Sequence, residues 1–138
     1  MSFLPDVSSF TTLIETSLDV MSHECPEAYQ CACQVLDTHE VSLTIDSEIV
    51  SVRFYSTYAE MLFIPQQPTA YLMSTKSVLL DLVDANYTLE YAITHDLLHM
   101  RGKMDTLIRF YEALQLYIHG AVRCPSFPAL LSDYRFRA

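Results

Sequence analysis

The sequence predicts an α+β fold: a twisted sheet of about five strands, mostly antiparallel, covered on one face by helices, with a helix at each end. Three observations carry this. Between residues 41 and 54 apolar and polar residues alternate with a strand's period of two. Over 7–22 and 103–119 apolar residues recur every three or four positions, as on a helix with one buried face. The chain has 138 residues, 51% hydrophobic and 18% charged, enough to bury a core without disulfide or metal staples. On this reading 1–138 is one domain, with its core over about 7–121 and a tail at 122–138.

The elements follow in order. Residues 7–22 place Phe10, Leu13, Ile14, Leu18 and Met21 on one helical face, with Ser8 or Ser9 as the cap after Pro5 and Asp6. His23 to Pro26 ends this helix. Tyr29 to Leu36 suits a strand, and Asp37 to Glu40 a turn. Val41, Leu43 and Ile45 alternate with polar residues, and after Ser47-Glu48 so do Val50, Val52 and Phe54. Together these three segments read as an antiparallel meander with one packed face. Pro65 and Pro68 interrupt the chain after Met61–Ile64. Thr69–Ser74 reads as a fourth strand, and Thr75 caps a helix over Lys76–Asp84. Asn86-Tyr87-Thr88 starts a second short helix, His95-Asp96 turns, and Leu98–Arg101 is a last strand ending at Gly102. Lys103–His119 is the longest helix, with Leu107, Ile108, Tyr111, Leu114 and Ile118 expected inward and Gly120 as its stop. The tail is expected on the surface, anchored by Phe127, Leu130 and Leu131.

Composition excludes several functions. Two glycines cannot supply a Gly-rich phosphate loop, and a net charge of −9 argues against nucleic acid as a partner. The charge is lopsided: residues 1–52 hold nine acids and no base, while the remainder is balanced. Such a surface keeps an apolar chain dispersed in water. Cys25, Cys31, Cys33 and Cys124 form no CxxC pair, so free thiols in a reducing cytoplasm are expected. The first residues lack the basic and apolar regions of a signal peptide, and no apolar run is long enough for an integral membrane segment.

Residues 69–118 carry a family likeness. Thr69-Ala70-Tyr71-Leu72-Met73-Ser74 is followed by the apolar helix Val78-Leu79-Leu80-Asp81-Leu82-Val83. A short helix then closes near Ala92, and Leu98-His99-Met100-Arg101-Gly102 leads into a long helix with Met104, Leu107 and Ile108. This pattern resembles the sterol carrier protein family (sterol carrier protein 2 like). The segment 29–55 looks like that family's first strands and 7–22 like its first helix. The sequence departs from the family at Asp84-Ala85-Asn86, which lacks a glycine, at His95-Asp96, and at Arg137-Ala138, which is no peroxisomal signal.

The resemblance implies an apolar tunnel between sheet and helices that takes a fatty acyl chain, a sterol or an isoprenoid lipid, with no catalysis and no cofactor. Val41, Leu43, Val52, Phe54, Leu72, Leu98 and Met100 are expected on the sheet wall. Leu79, Val83, Ile108, Tyr111 and Leu114 are expected on the helical wall. The partner is then a hydrophobic small molecule or lipid, and the apolar composition is compatible with a homodimer. A second reading is an interaction or dimerisation module with a filled core. In that reading Phe110, Tyr111 and Tyr117 form a docking stripe with Phe127, Tyr134 and Phe136. A third is a small pocket enzyme of nuclear-transport-factor-like type, using Tyr91, His95 and Asp96. The metal-like groupings His95/His99 and His23/Cys25/Cys31/Cys33 read instead as surface histidines and ordinary thiols.

Overall fold

Ser9 enters the first helix with an extended backbone and a side chain that accepts from the Thr12 N–H at 3.1 Å. This is where a computed structural model of the protein begins its description, which covers residues 9–136. Val7 and Ser8, counted in the first helix from the sequence, and Pro5, Asp6, Arg137 and Ala138 lie outside the described residues. Helix α1 spans Phe10–Glu24 and buries Phe10, Leu13, Ile14 and Met21, the face the periodicity marks. The Glu48 carboxylate closes its start, accepting from the N–H groups of Phe10 (3.1 Å) and Thr11 (2.7 Å) and from the Thr11 hydroxyl. An anion there also meets the positive end of the helix dipole.

The next segment corrects the sequence reading. Residues Pro26–Val35 form helix α2, not a strand. Proline at the first helical position and Glu27 beside it are helix-start signals. Tyr29, Ala32, Cys33 and Leu36 share one face at spacings of three and four, and Ala32, Cys33 and Leu36 are buried. The meander therefore begins one segment later. Strands β1 (Glu40–Ile45), β2 (Glu48–Phe54) and β3 (Ala59–Leu62) are its three antiparallel members. Val41 faces Val52 and Leu43 faces Val50, so the expected parity holds. Strand β4 (Ala70–Ser74) pairs in parallel with β1, and β5 (His99–Gly102) pairs antiparallel with β4. The sheet order is β3-β2-β1-β4-β5. Glu40, buried in β1, anchors the crossover from β3 to β4 by accepting from the N–H groups of Gln66 and Gln67, each at 2.9 Å.

Helices α3 (Lys76–Val83) and α4 (Leu89–Thr94) are capped by Thr75 and Thr88, whose hydroxyls accept from Val78 N–H and Tyr91 N–H. Helix α5 (Met104–Ala121) is long, as expected, but rotated. Its buried stripe is Thr106, Phe110, Ala113, Gly120 and Ala121, while Ile108 is 59% exposed. The small residues decide the rotation: a Cβ on Gly120 would stand 2.8 Å from the Ala28 Cβ and 2.8 Å from the Met21 Cε, so α1 and α2 approach α5 closely there. The expected surface tail contains helix α6 (Phe127–Phe136), which buries Phe127, Leu130 and Tyr134 and packs on α1. The proposed docking stripe is thereby dismantled. Phe110, Phe127 and Tyr134 are core residues, and of the six only Phe136 is strongly exposed.

Candidate functional site

Pleated strands put every second side chain on one face. On the helix-facing side of the sheet this gives Val41 and Leu43 from β1, Val52 and Phe54 from β2, and Leu72 from β4. These five form the floor of a cavity of about 110 Å3. Helix α3 contributes Leu79, Leu82 and Val83, and Leu89 and Leu98 close the end beside α4. Helix α5 contributes Phe110, Ala113, Leu114, Tyr117 and Ile118. The remaining wall comes from Phe10, Ile14, Leu18 and Met21 of α1, and from Tyr29, Ala32, Cys33 and Leu36 in and just after α2.

Of the residues the sequence assigned to the site, the structure brings together Val41, Leu43, Val52, Phe54, Leu72, Leu79, Val83, Leu98 and Leu114. It leaves out Met100, Ile108 and Tyr111. Met100 sits half-buried on the edge strand β5. Ile108 points outward because of the rotation of α5, and the half-buried Tyr111 takes a hydrogen bond from Gln115 at 2.9 Å on the same flank. The sequence reading missed the α2 wall by treating it as a strand, although the 29–33–36 spacing marks it. Phe110, Ala113 and Tyr117 were missed with the phase of α5, for which no local signal existed.

Among the described residues no charged side chain lines the cavity. Its titratable groups stay protonated at neutral pH: burial pushes the Cys33 thiol up to about 11 and the Tyr117 hydroxyl up to about 12. Burial also raises Tyr29 above the ordinary tyrosine range. The volume is smaller than the roughly 300–1,000 Å3 of a pocket that engulfs a drug-sized ligand. It exceeds by several-fold the ~10–15 Å3 needed to seat one water.

The acid–base candidates lie elsewhere. Tyr91 and His95 stack on each other, ring centroids 3.8 Å apart, on the exposed side of α4. Asp96 is exposed in the turn that follows. Cys31 is exposed and Cys33 buried, on different sides of α2, and His23 folds back on the Asp19 carbonyl. Among the described residues no three His, Cys, Asp or Glu side chains stand close enough to hold a metal ion. Among them too, no helix is long and apolar enough to cross a membrane.

No protein-family model matches the chain, and no curated protein matches it. Solved structures do. A crystal structure of sterol carrier protein 2 superposes with a TM-score of 0.62 at 11% identity, over 84% of this chain and 99% of that one. The UbiJ-SCP2 ubiquinone synthesis protein gives 0.60 at 20% identity, over 78% and 94%. The sterol carrier protein domain 2 of Helicoverpa armigera gives 0.55 at 10% identity, over 85% and 94%. With a five-stranded mixed sheet, its helices and this agreement in three dimensions, the chain has the fold of the sterol carrier protein 2 domains.

Proposed function

We propose that the protein binds or carries a hydrophobic ligand, a fatty acyl, sterol or isoprenoid lipid, without catalysing a reaction. The observation that carries this reading is the uncharged apolar cavity between the sheet and helices α1, α2, α3 and α5. A long apolar ligand needs no charge to bind, since each methylene removed from water contributes about 0.8 kcal/mol. The fold supports the same reading, because its solved counterparts are named as sterol carrier proteins. The small volume is accommodated by partial exposure of the wall: Leu18, Leu79, Val83, Leu114 and Ile118 are only half-buried and form a rim through which a longer ligand extends.

The second reading, an interaction module of the same fold, is favoured by one observation. Phe63 and Ile64, on the crossover between β3 and β4, are 74% and 77% exposed.

Native mass spectrometry of the purified protein, followed by organic extraction, separates the two. A co-purifying lipid released on denaturation is the expected result. A clean ligand-free mass, with no uptake from a mixture of fatty acids, sterols and isoprenoids, overturns the carrier reading and leaves the interaction module.

A further inference from the structure

The lining contains three polar side-chain groups, the Tyr29 and Tyr117 hydroxyls and the Cys33 thiol, and both hydroxyls already bond within the protein. The Tyr29 hydroxyl accepts from the Ala59 N–H at 2.9 Å and neighbours the Cys33 thiol. Ser17 spends its one hydroxyl hydrogen on the Ile14 carbonyl at 3.0 Å. In the contact between Ser17 and Tyr117, at 2.5 Å, the Tyr117 O–H is therefore the donor. One short chain results, from Tyr117 to Ser17 to the Ile14 carbonyl. The surface that the lining residues turn to the cavity is carbon almost throughout, so a ligand meets no strong donor there.

A carboxylate or hydroxyl that enters such a space loses its water and gains no partner. A hydrocarbon terminus loses nothing. The rim is different, because Leu79, Val83, Leu114 and Ile118 are half-exposed and a head group there keeps its hydration. Resting on the carrier reading, we infer that the site selects ligands with a bare hydrocarbon terminus and takes them up terminus first, leaving any charged or hydroxylated head at the rim. A molecule polar at both ends binds more weakly than its singly polar counterpart of the same length. The inner space of about 110 Å3 accepts the end of a chain, or a single ring, rather than a whole lipid.

Three ligands of equal length test this on the intact protein: hexadecanoic, 16-hydroxyhexadecanoic and hexadecanedioic acids, titrated by calorimetry. The monoacid is expected to bind, the hydroxy acid to bind roughly tenfold to a hundredfold more weakly, and the diacid at least about a hundredfold more weakly, from the desolvation of an unpartnered terminus. Equal binding of all three overturns the inference and leaves the carrier reading intact. Failure of all three, together with no uptake from the lipid mixture, overturns both. A variant gives an independent reading. Ser17→Ala removes the acceptor of Tyr117 and frees its O–H at the wall, so the hydroxy acid should gain on the monoacid by about tenfold. An unchanged ratio, in a variant that melts as a folded protein, also overturns the inference.

Discussion

Cys33 and Cys124 are buried among apolar side chains, and burial pushes their thiols up to about 11 and about 12. Cys31, on the outer side of α2, is exposed. Since the thiolate is the reactive form, a disulfide reagent at pH 8 should label Cys31 rapidly and reach Cys33 and Cys124 only after denaturant is added. Fast labelling of Cys33 in the native protein would contradict the placement of α2. Glu48 makes a pH prediction. Partial burial pushes its carboxyl up, but hydrogen bonds from the Thr11 N–H and hydroxyl, the Phe10 N–H and Ser9 outweigh this and hold it below the usual range. A group with a depressed folded pKa stabilises the fold above its unfolded value, about 4.3 for glutamate, and loses that contribution as pH falls through the folded value. Thermal melts should therefore show part of the acid destabilisation below about pH 4.3, and Glu48→Gln should flatten that limb. Glu40 offers a sharper loss. Its buried carboxylate holds the crossover through two backbone N–H groups, so Glu40→Ala should cost about 2–4 kcal/mol in denaturant unfolding, as two charged hydrogen bonds are lost.

At the scale of elements, α5 and α2 meet across small residues, and Gly120 is the tightest point. Gly120→Ala gains about 1 kcal/mol of helix propensity. It also places a methyl 2.8 Å from the Ala28 Cβ, which an alanine cannot rotate away. We expect net destabilisation of about 1–2 kcal/mol, read as a lower urea midpoint without a change in slope. Helix α3 is tied to α6 at both ends. Asp84 accepts from Arg135 at 2.7 Å, and the Lys76 ammonium lies 4.5 Å from the Tyr134 ring centroid. Each partner of the Asp84–Arg135 pair is about a third exposed, so the bridge contributes about 1 kcal/mol or less. Arg135→Gln should scarcely change the melting temperature yet speed amide exchange over 76–83, because α3 forms part of the cavity wall and is half-exposed. The error over 26–35 belongs to this scale as well. A short segment with Cys31, Cys33 and Val35 at alternate positions satisfies a strand's period locally. Its helical reading rests on Pro26, Glu27 and the wider 29–33–36 spacing.

For the whole molecule the decisive quantity is the space left inside. Ala113 lines the cavity at the middle of α5. In a filled core Ala113→Leu would overpack at a cost of about 1–3 kcal/mol. Into a void of about 110 Å3 the added methylenes fit, so the variant should lose less than about 1 kcal/mol while its lipid uptake falls. A full overpacking penalty would mean that the space is not there. Patterning alone determined much of this protein. The two-residue alternation fixed which sides of β1 and β2 face inward, and Thr75 and Thr88 announced the short helices. The run from Thr69 to Gly102 set the order of elements from β4 through α3 and α4 to β5. Those signals are local, written in spacings of a few residues. The phase of α5, the burial of α6 and the cavity itself are not local. They depend on how closely Gly120 lets α2 approach, on which face of α6 finds α1, and on the mismatch between side-chain volumes and the gap between layers. Such quantities exist only once distant segments have met, and so the tertiary structure alone decided them.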